Sequence, residues 1–220
     1  MNVRNVLLGC ATVLMVASLY LVFIYVPTEA TMGVVQRIFY FHVPLAWVAF
    51  LAFFVVFAFS ILYLWKRAEK WDILASASAE VGTVFTTLFL ATGSIWAKPI
   101  WGVWWTWDPR LTSALILWII YIAYHLVRTY AGGGSRSPRL AAVVGIVGFI
   151  DVPIVALAIT LWRTQHPGPA IFQGGLAPSM MLTLMVCLVT FTVLYALLML
   201  IRIAMKNDEI EIRRLKLTGI

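Results

Sequence analysis

Four tryptophans fall within seven positions in the run Trp101-Gly102-Val103-Trp104-Trp105-Thr106-Trp107-Asp108-Pro109-Arg110, which closes on an acid and a base. Indoles are flat, electron-rich and mostly apolar, so such a cluster suits the face of a large planar ligand. Each stack or edge contact adds about 0.5 to 1.5 kcal/mol beyond area burial. If residues 101–108 form a short surface helix, Trp101, Trp104, Trp105 and Asp108 occupy i, i+3, i+4 and i+7 and share one face, with Trp107 pointing elsewhere. The competing reading is an interfacial aromatic belt. It accounts for the scattered Trp47, Trp65, Trp71, Trp118 and Trp162, and less well for four so close together.

Two of the three histidines add metal chemistry. His42 sits in Phe39-Tyr40-Phe41-His42-Val43-Pro44, and His166 in Trp162-Arg163-Thr164-Gln165-His166-Pro167-Gly168-Pro169. Neutral imidazoles from different parts of a chain can take both axial positions of a haem iron. Taken singly, each reads as a hydrogen-bonding residue at a membrane edge; placed on the same side as the tryptophans, they read as a pair. His125, beside Tyr124 and near Arg128, lies a membrane thickness away and is structural. A haem also carries carboxylates, and Arg37, Lys98, Arg110 and Arg163 lie close to the histidines or tryptophans. Arginine can grip a carboxylate through two parallel bonds. Spacing does not decide which cation does so: Arg110 reads equally as a flanking charge or an anion clamp, and Asp108 as a helix cap with or without a ligand. One histidine pair supports at most one such haem, which disfavours a carrier of electrons across the bilayer.

The elements that must position these residues are membrane helices. With 63% hydrophobic and 11% charged residues among 220, and a mean hydropathy of +0.96, the chain cannot cover a water-soluble globule. Apolar runs able to cross about 30 Å of hydrocarbon lie near 5–26, 44–65, 78–97, 111–128, 140–162 and 178–203. These predict an all-α integral membrane protein, a single six-helix domain spanning 1–220, with the tryptophan-rich segment 98–110 between helices three and four. Arg4, Lys66, Arg67, Lys70, Arg128, Arg136, Arg139, Arg202, Lys206, Arg213, Arg214 and Lys216, 12 of the 16 lysines and arginines, fall at one set of alternate ends. The positive-inside rule therefore puts both termini in the cytoplasm and the tryptophans and histidine pair outside. The net charge of +7 is a topology signal, and nucleic acid is not an expected partner.

Local signals refine the picture. Asp108-Pro109 reads as an N-cap and first helical residue, and Pro44 and Pro178 are expected to open helices two and six in the same way, leaving His42 just outside the hydrocarbon. The run 131–138 reads as a plain linker. Leu7-Leu8-Gly9-Cys10 imitates a lipoprotein site, but apolar sequence continues to Val26, so a retained first span is expected. Cys10 and Cys187 form no CxxC, CxxCH or zinc spacing. Asp151, near the middle of span five, is expected to face the bundle interior, protonated or paired. A kink-and-cap role with Pro153 and a ligand-path or partner-contact role both stand.

The run from Trp101 to Thr112, WGVWWTWDPRLT, resembles the "WWD" signature of a haem-handling superfamily. With FHVP at 41–44, the histidine at 166, six spans and this length, most of the chain resembles the CcmC family, haem-presenting subunits of cytochrome c maturation. The resemblance implies non-covalent, transient binding of haem b at the periplasmic face of a bacterial inner membrane. His42 and His166 would be the axial ligands, the tryptophan segment the support, and Arg37, Arg110 and Arg163 the charges near the propionates. It implies delivery to the haem chaperone CcmE, in company with CcmD and a transporter of CcmA and CcmB, by a delivery subunit and not an enzyme. The chain has no GxxxxGK[ST] loop, so ATP hydrolysis is expected from a partner. The alternatives are a haem lyase of the same superfamily, which attaches haem to apocytochrome c, and a non-haem membrane scaffold.

Overall fold

The computed structural model describes residues 2–132, 136–162, 164, 166 and 175–218. Its elements are α1 (Val3–Tyr20), continued by a π turn over Leu21–Tyr25; a 3-10 turn, Val34–Ile38; α2 (Phe39–Lys66); α3 (Glu69–Trp101); α4 (Pro109–Tyr130); α5 (Arg136–Phe149); α6 (Asp151–Leu161); and α7 (Pro178–Thr218). Six of the resulting helical stretches are long and apolar enough to cross a membrane, with α5 and α6 counting as one. The helices overrun the apolar runs that announce them, because charged and amphipathic ends continue the backbone bonding beyond the hydrocarbon.

The centre of the bundle is the antiparallel pair α2 and α3. Along α3, Ala75, Ala79, Gly82, Thr86, Phe89 and Gly93 recur on one face, and small side chains let two backbones come close. A Cβ on Gly82 would stand 2.8 Å from Ala52 Cβ. The Ser78 hydroxyl donates to the Ala52 carbonyl at 2.7 Å and meets Tyr195 of α7 at 2.8 Å. Phe53 stacks on Tyr121 of α4, ring centroids 3.5 Å apart and both fully buried. Helix α1 lies along α7, joined by Ser18 and Thr190 at 2.8 Å.

At the end of the bundle away from His42, ion pairs tie helices together. Arg128 makes a two-pronged bond to Asp72, 2.6 and 2.7 Å, and Glu80 takes both Arg202 and Lys206. His125 meets Thr83 at 2.9 Å in the same half of the bundle, a structural contact as expected.

One expectation is corrected here. Pro44 lies inside α2, which already begins at Phe39. The preceding 3-10 turn carries helical backbone into the segment, so α2 is already under way at Pro44, whose missing N–H leaves the Tyr40 carbonyl without its usual helix bond. His42 therefore sits on the first turn of α2, 7% exposed. In the fifth span the helix breaks at Ile150. Pro153 has no N–H to offer the Phe149 carbonyl, so the break falls just before it. Asp151 opens α6, half-buried, with Oδ2 buried and without a hydrogen-bond partner among the described residues.

Candidate functional site

At the His42 end, α2, α3 and α4 diverge around a partly open cavity lined mainly by apolar side chains. His42 from α2, Trp96 and Trp101 from α3, Trp105 from the connection, Arg110 from α4 and His166 from the segment before α7 all line it. Residues far apart in sequence thus converge on one space.

The His42 ring is held on several sides. Its Nδ1 lies 3.1 Å from Thr92 Oγ1. Phe89 and Trp96 flank it, with ring centroids at 4.8 and 5.8 Å. Gly93 leaves the room it occupies: a Cβ there would stand 3.0 Å from His42 Cε1. Before α2, the Glu29 carboxylate accepts from the Thr31 and Met32 backbone N–H groups, and Gly33 turns the chain with a φ of 61°, so that Met32 reaches the cavity wall. Those backbone donors hold the Glu29 carboxyl below its usual range.

The tryptophan segment is not the expected surface helix. Helix α3 ends at Trp101, where Gly102 takes a left-handed φ of 78° and its N–H caps the Lys98 carbonyl. Residues 102–108 then run without helical structure to Pro109. Glycine adopts that conformation without a Cβ clash, and the Lys98 ammonium bonds the Gly102 carbonyl at 2.8 Å, which secures the stop. Trp101, Trp104 and Trp105 consequently do not share a helix face. Trp101 and Trp105 line the cavity, while Trp104 and Trp107 are 58% and 76% exposed and do not.

Asp108 caps α4 through the Arg110 and Leu111 N–H groups, at 3.0 and 3.3 Å. It also accepts from Thr106 at 2.7 Å and from Thr164 at 2.9 Å. Thr164 Oγ1 in turn accepts the backbone N–H of His166 at 3.1 Å. The aspartate thus joins the start of α4 to the segment that carries His166, and does not itself line the cavity. Arg37 does not line it either, and its Nε is buried without a partner among the described residues. Arg163 lies outside the described residues.

A group with acidic edges would find donors waiting. Trp96 Nε1, Trp105 Nε1 and Arg110 Nη1 are buried and have no hydrogen-bond partner among the described residues, and all three side chains line the cavity. Elsewhere Trp47 and Trp118 donate to threonine hydroxyls at 3.1 and 2.9 Å, whereas Trp71 Nε1, outside the cavity, is also buried without a partner among the described residues. A buried donor left unsatisfied costs about 1 to 3 kcal/mol, so three around one cavity suit an acceptor that arrives with a ligand. A flat macrocycle with carboxylates and a metal that takes nitrogen fits this donor set.

Sequence reasoning missed Trp96, Gly93, Phe89 and Thr92. The signal was present: once α3 is continued to Trp101, Phe89, Gly93, Ala97 and Trp101 recur on one helical face, with Trp96 beside it.

Fold and cavity together define a helical membrane protein that opens an imidazole- and indole-lined cleft at one end of its bundle. The chain belongs to the CcmC family, described as heme exporter protein C, which it matches over residues 1–218. It is 36% identical over 209 residues to the heme exporter protein C of Bradyrhizobium diazoefficiens, covering 94% of this chain and 79% of that one. Against the Escherichia coli K12 protein of the same name, identity is 34% over 180 residues, 81% of this chain and 73% of the relative. A putative cytochrome c biosynthesis ccmC-like mitochondrial protein of Marchantia polymorpha is 32% identical over 171 residues, 78% and 72% of the two chains.

Proposed function

We propose that this chain binds haem b, non-covalently and transiently, in the cleft between α2, α3 and α4, and delivers it to the chaperone CcmE during c-type cytochrome biogenesis. The observation that carries the reading is the convergence of His42 and His166 on a cavity whose lining includes three unsatisfied buried donors. The names of the relatives, heme exporter proteins, point the same way.

In this reading His42 and His166 are the axial ligands, and the iron supplies the affinity for the two imidazoles. Trp101 and Trp105 lie against the porphyrin. Arg110, with the Trp96 and Trp105 N–H groups, takes the propionates. Asp108 contributes by holding the start of α4 and the His166 segment together, and Trp104 and Trp107 offer an indole surface to the chaperone. The whole chain works as one membrane domain in a bacterial inner membrane, termini in the cytoplasm and cleft facing the periplasm. The distribution of lysine and arginine supports that orientation. The partners are CcmD and the CcmA and CcmB transporter subunits, which supply ATP hydrolysis; this chain's part is binding and presentation, not catalysis.

Haem quantification and absorption spectroscopy on the purified protein test the reading. Wild type is expected to carry low-spin haem with two nitrogen ligands, and His42→Ala and His166→Ala each to lose that signature. A colourless wild type that still binds its partners, or variants with an unchanged spectrum, would overturn it.

A further inference from the structure

Thr92 immediately precedes Gly93, the last residue of the stripe that packs α3 against α2, and its hydroxyl meets a ring nitrogen of His42. Its hydroxyl has one hydrogen and several neighbours. The Leu88 carbonyl lies 2.8 Å away, the Phe89 carbonyl 3.1 Å and His42 Nδ1 3.1 Å. Carbonyl oxygens only accept, and a threonine inside a helix characteristically returns its hydroxyl hydrogen to the carbonyl four residues back. The closest contact is that carbonyl. With its hydrogen spent on the backbone, the Thr92 oxygen faces His42 with a lone pair, so the bond between them forms only if Nδ1 carries the hydrogen.

From this geometry we infer that Thr92 is a positioning residue for the haem ligand: it selects the Nδ1–H form of His42 and so leaves the Nε2 lone pair free toward the cavity. The inference rests on the reading of His42 as an iron ligand. A neutral imidazole has one hydrogen on one of two nitrogens, and a metal is bound only through the bare one. Bonds made by the other nitrogen fix both the ring's orientation and which nitrogen is bare, and their loss typically weakens metal binding about 10- to 100-fold. Gly93 completes the arrangement by giving the ring space on the side of Cε1. Two neighbouring residues of α3 therefore set the chemical form and the placement of a ligand borne by α2.

Nitrogen NMR of the ligand-free protein labelled at histidine reads the hydrogen's position without any substitution. The expected result is His42 hydrogenated at Nδ1; a ring hydrogenated mainly at Nε2 overturns the inference. Thr92→Val then removes the acceptor while keeping the shape. It is expected to weaken retention of added haem about 10- to 100-fold, with partial loss of the low-spin spectrum and a shifted reduction potential. Thr92→Ser, which keeps the oxygen, is expected to restore all three. If His42→Ala loses the low-spin signature while Thr92→Val keeps wild-type retention and potential, Thr92 is not a positioning residue and the ligand reading stands. If His42→Ala itself keeps the signature, the ligand reading fails first.

Discussion

Asp108 Oδ1 accepts a hydrogen bond from Thr164 Oγ1 at 2.9 Å across 56 residues of chain. The same oxygen caps α4. One carboxylate oxygen therefore serves both the helix that brings Arg110 to the cavity and the segment that brings His166.

Removing that carboxylate should abolish both of its duties at once. Asp108→Ala loses the cap, at about 0.5 to 2 kcal/mol, and also the Thr164 anchor. Asp108→Asn keeps an amide oxygen for both, and asparagine caps a helix about as well as aspartate. Thermal unfolding checks the stability order, and the low-spin haem signature, expected to weaken in Asp108→Ala through displaced His166, checks the link to the ligand. Unchanged haem retention in a folded Asp108→Ala protein would show that the anchor is not needed.

Gly93→Ala places a methyl 3.0 Å from His42 Cε1, in a wall where the ring is already confined by Phe89 and Trp96. Overpacking of this kind typically costs about 1 to 3 kcal/mol, and here the ring must also move. Haem occupancy should fall together with stability. Gly82→Ala, crowded against Ala52 Cβ at 2.8 Å but absent from the cavity lining, is expected to lower stability with less effect on occupancy per folded molecule. Equal loss of occupancy in the two would detach the result from His42.

The unsatisfied donors make a prediction of opposite signs. Trp96→Phe and Trp105→Phe keep an aromatic ring and delete an N–H that has no partner among the described residues. In the ligand-free protein the deletion should be neutral or slightly stabilising, because a buried unpaired donor is a cost. Haem retention should nevertheless fall, and the fall should disappear with haem whose propionates are esterified. Calorimetry of the free protein and titration with the two haems measure the pair of effects; a deficit of the same size with the esterified haem would refute propionate contact.

Trp104 and Trp107 are exposed and outside the cavity lining. Their replacement by alanine should leave haem retention within about twofold of wild type, as for surface changes worth up to about 0.5 kcal/mol. Trp101→Ala and Trp105→Ala should reduce it clearly. Transfer of haem to CcmE, measured separately, is where the two exposed indoles are expected to matter. A large retention defect in Trp104→Ala or Trp107→Ala would mean that the segment closes over the ligand.

The periodicity and length of the apolar runs were enough to announce six membrane-capable helices, because hydrocarbon imposes its thickness directly on sequence. The Asp108-Pro109 cap was equally legible, since it is decided by neighbours in the chain. Residue types also picked out both histidines, Trp101, Trp105 and Arg110 as candidates, all of which reach one cavity. The division of the four tryptophans was not legible. It depends on Gly102 ending α3 in a left-handed turn, and local pattern alone allowed helix to continue. Nor could spacing place Thr92 beside His42 or Thr164 beside Asp108, at separations of 50 and 56 residues. Those contacts exist only because small residues bring α2 and α3 together and α4 packs beside them. Sequence determined which side chains were available and which helices would carry them; close packing between helices, a property of no single segment, decided which of them meet.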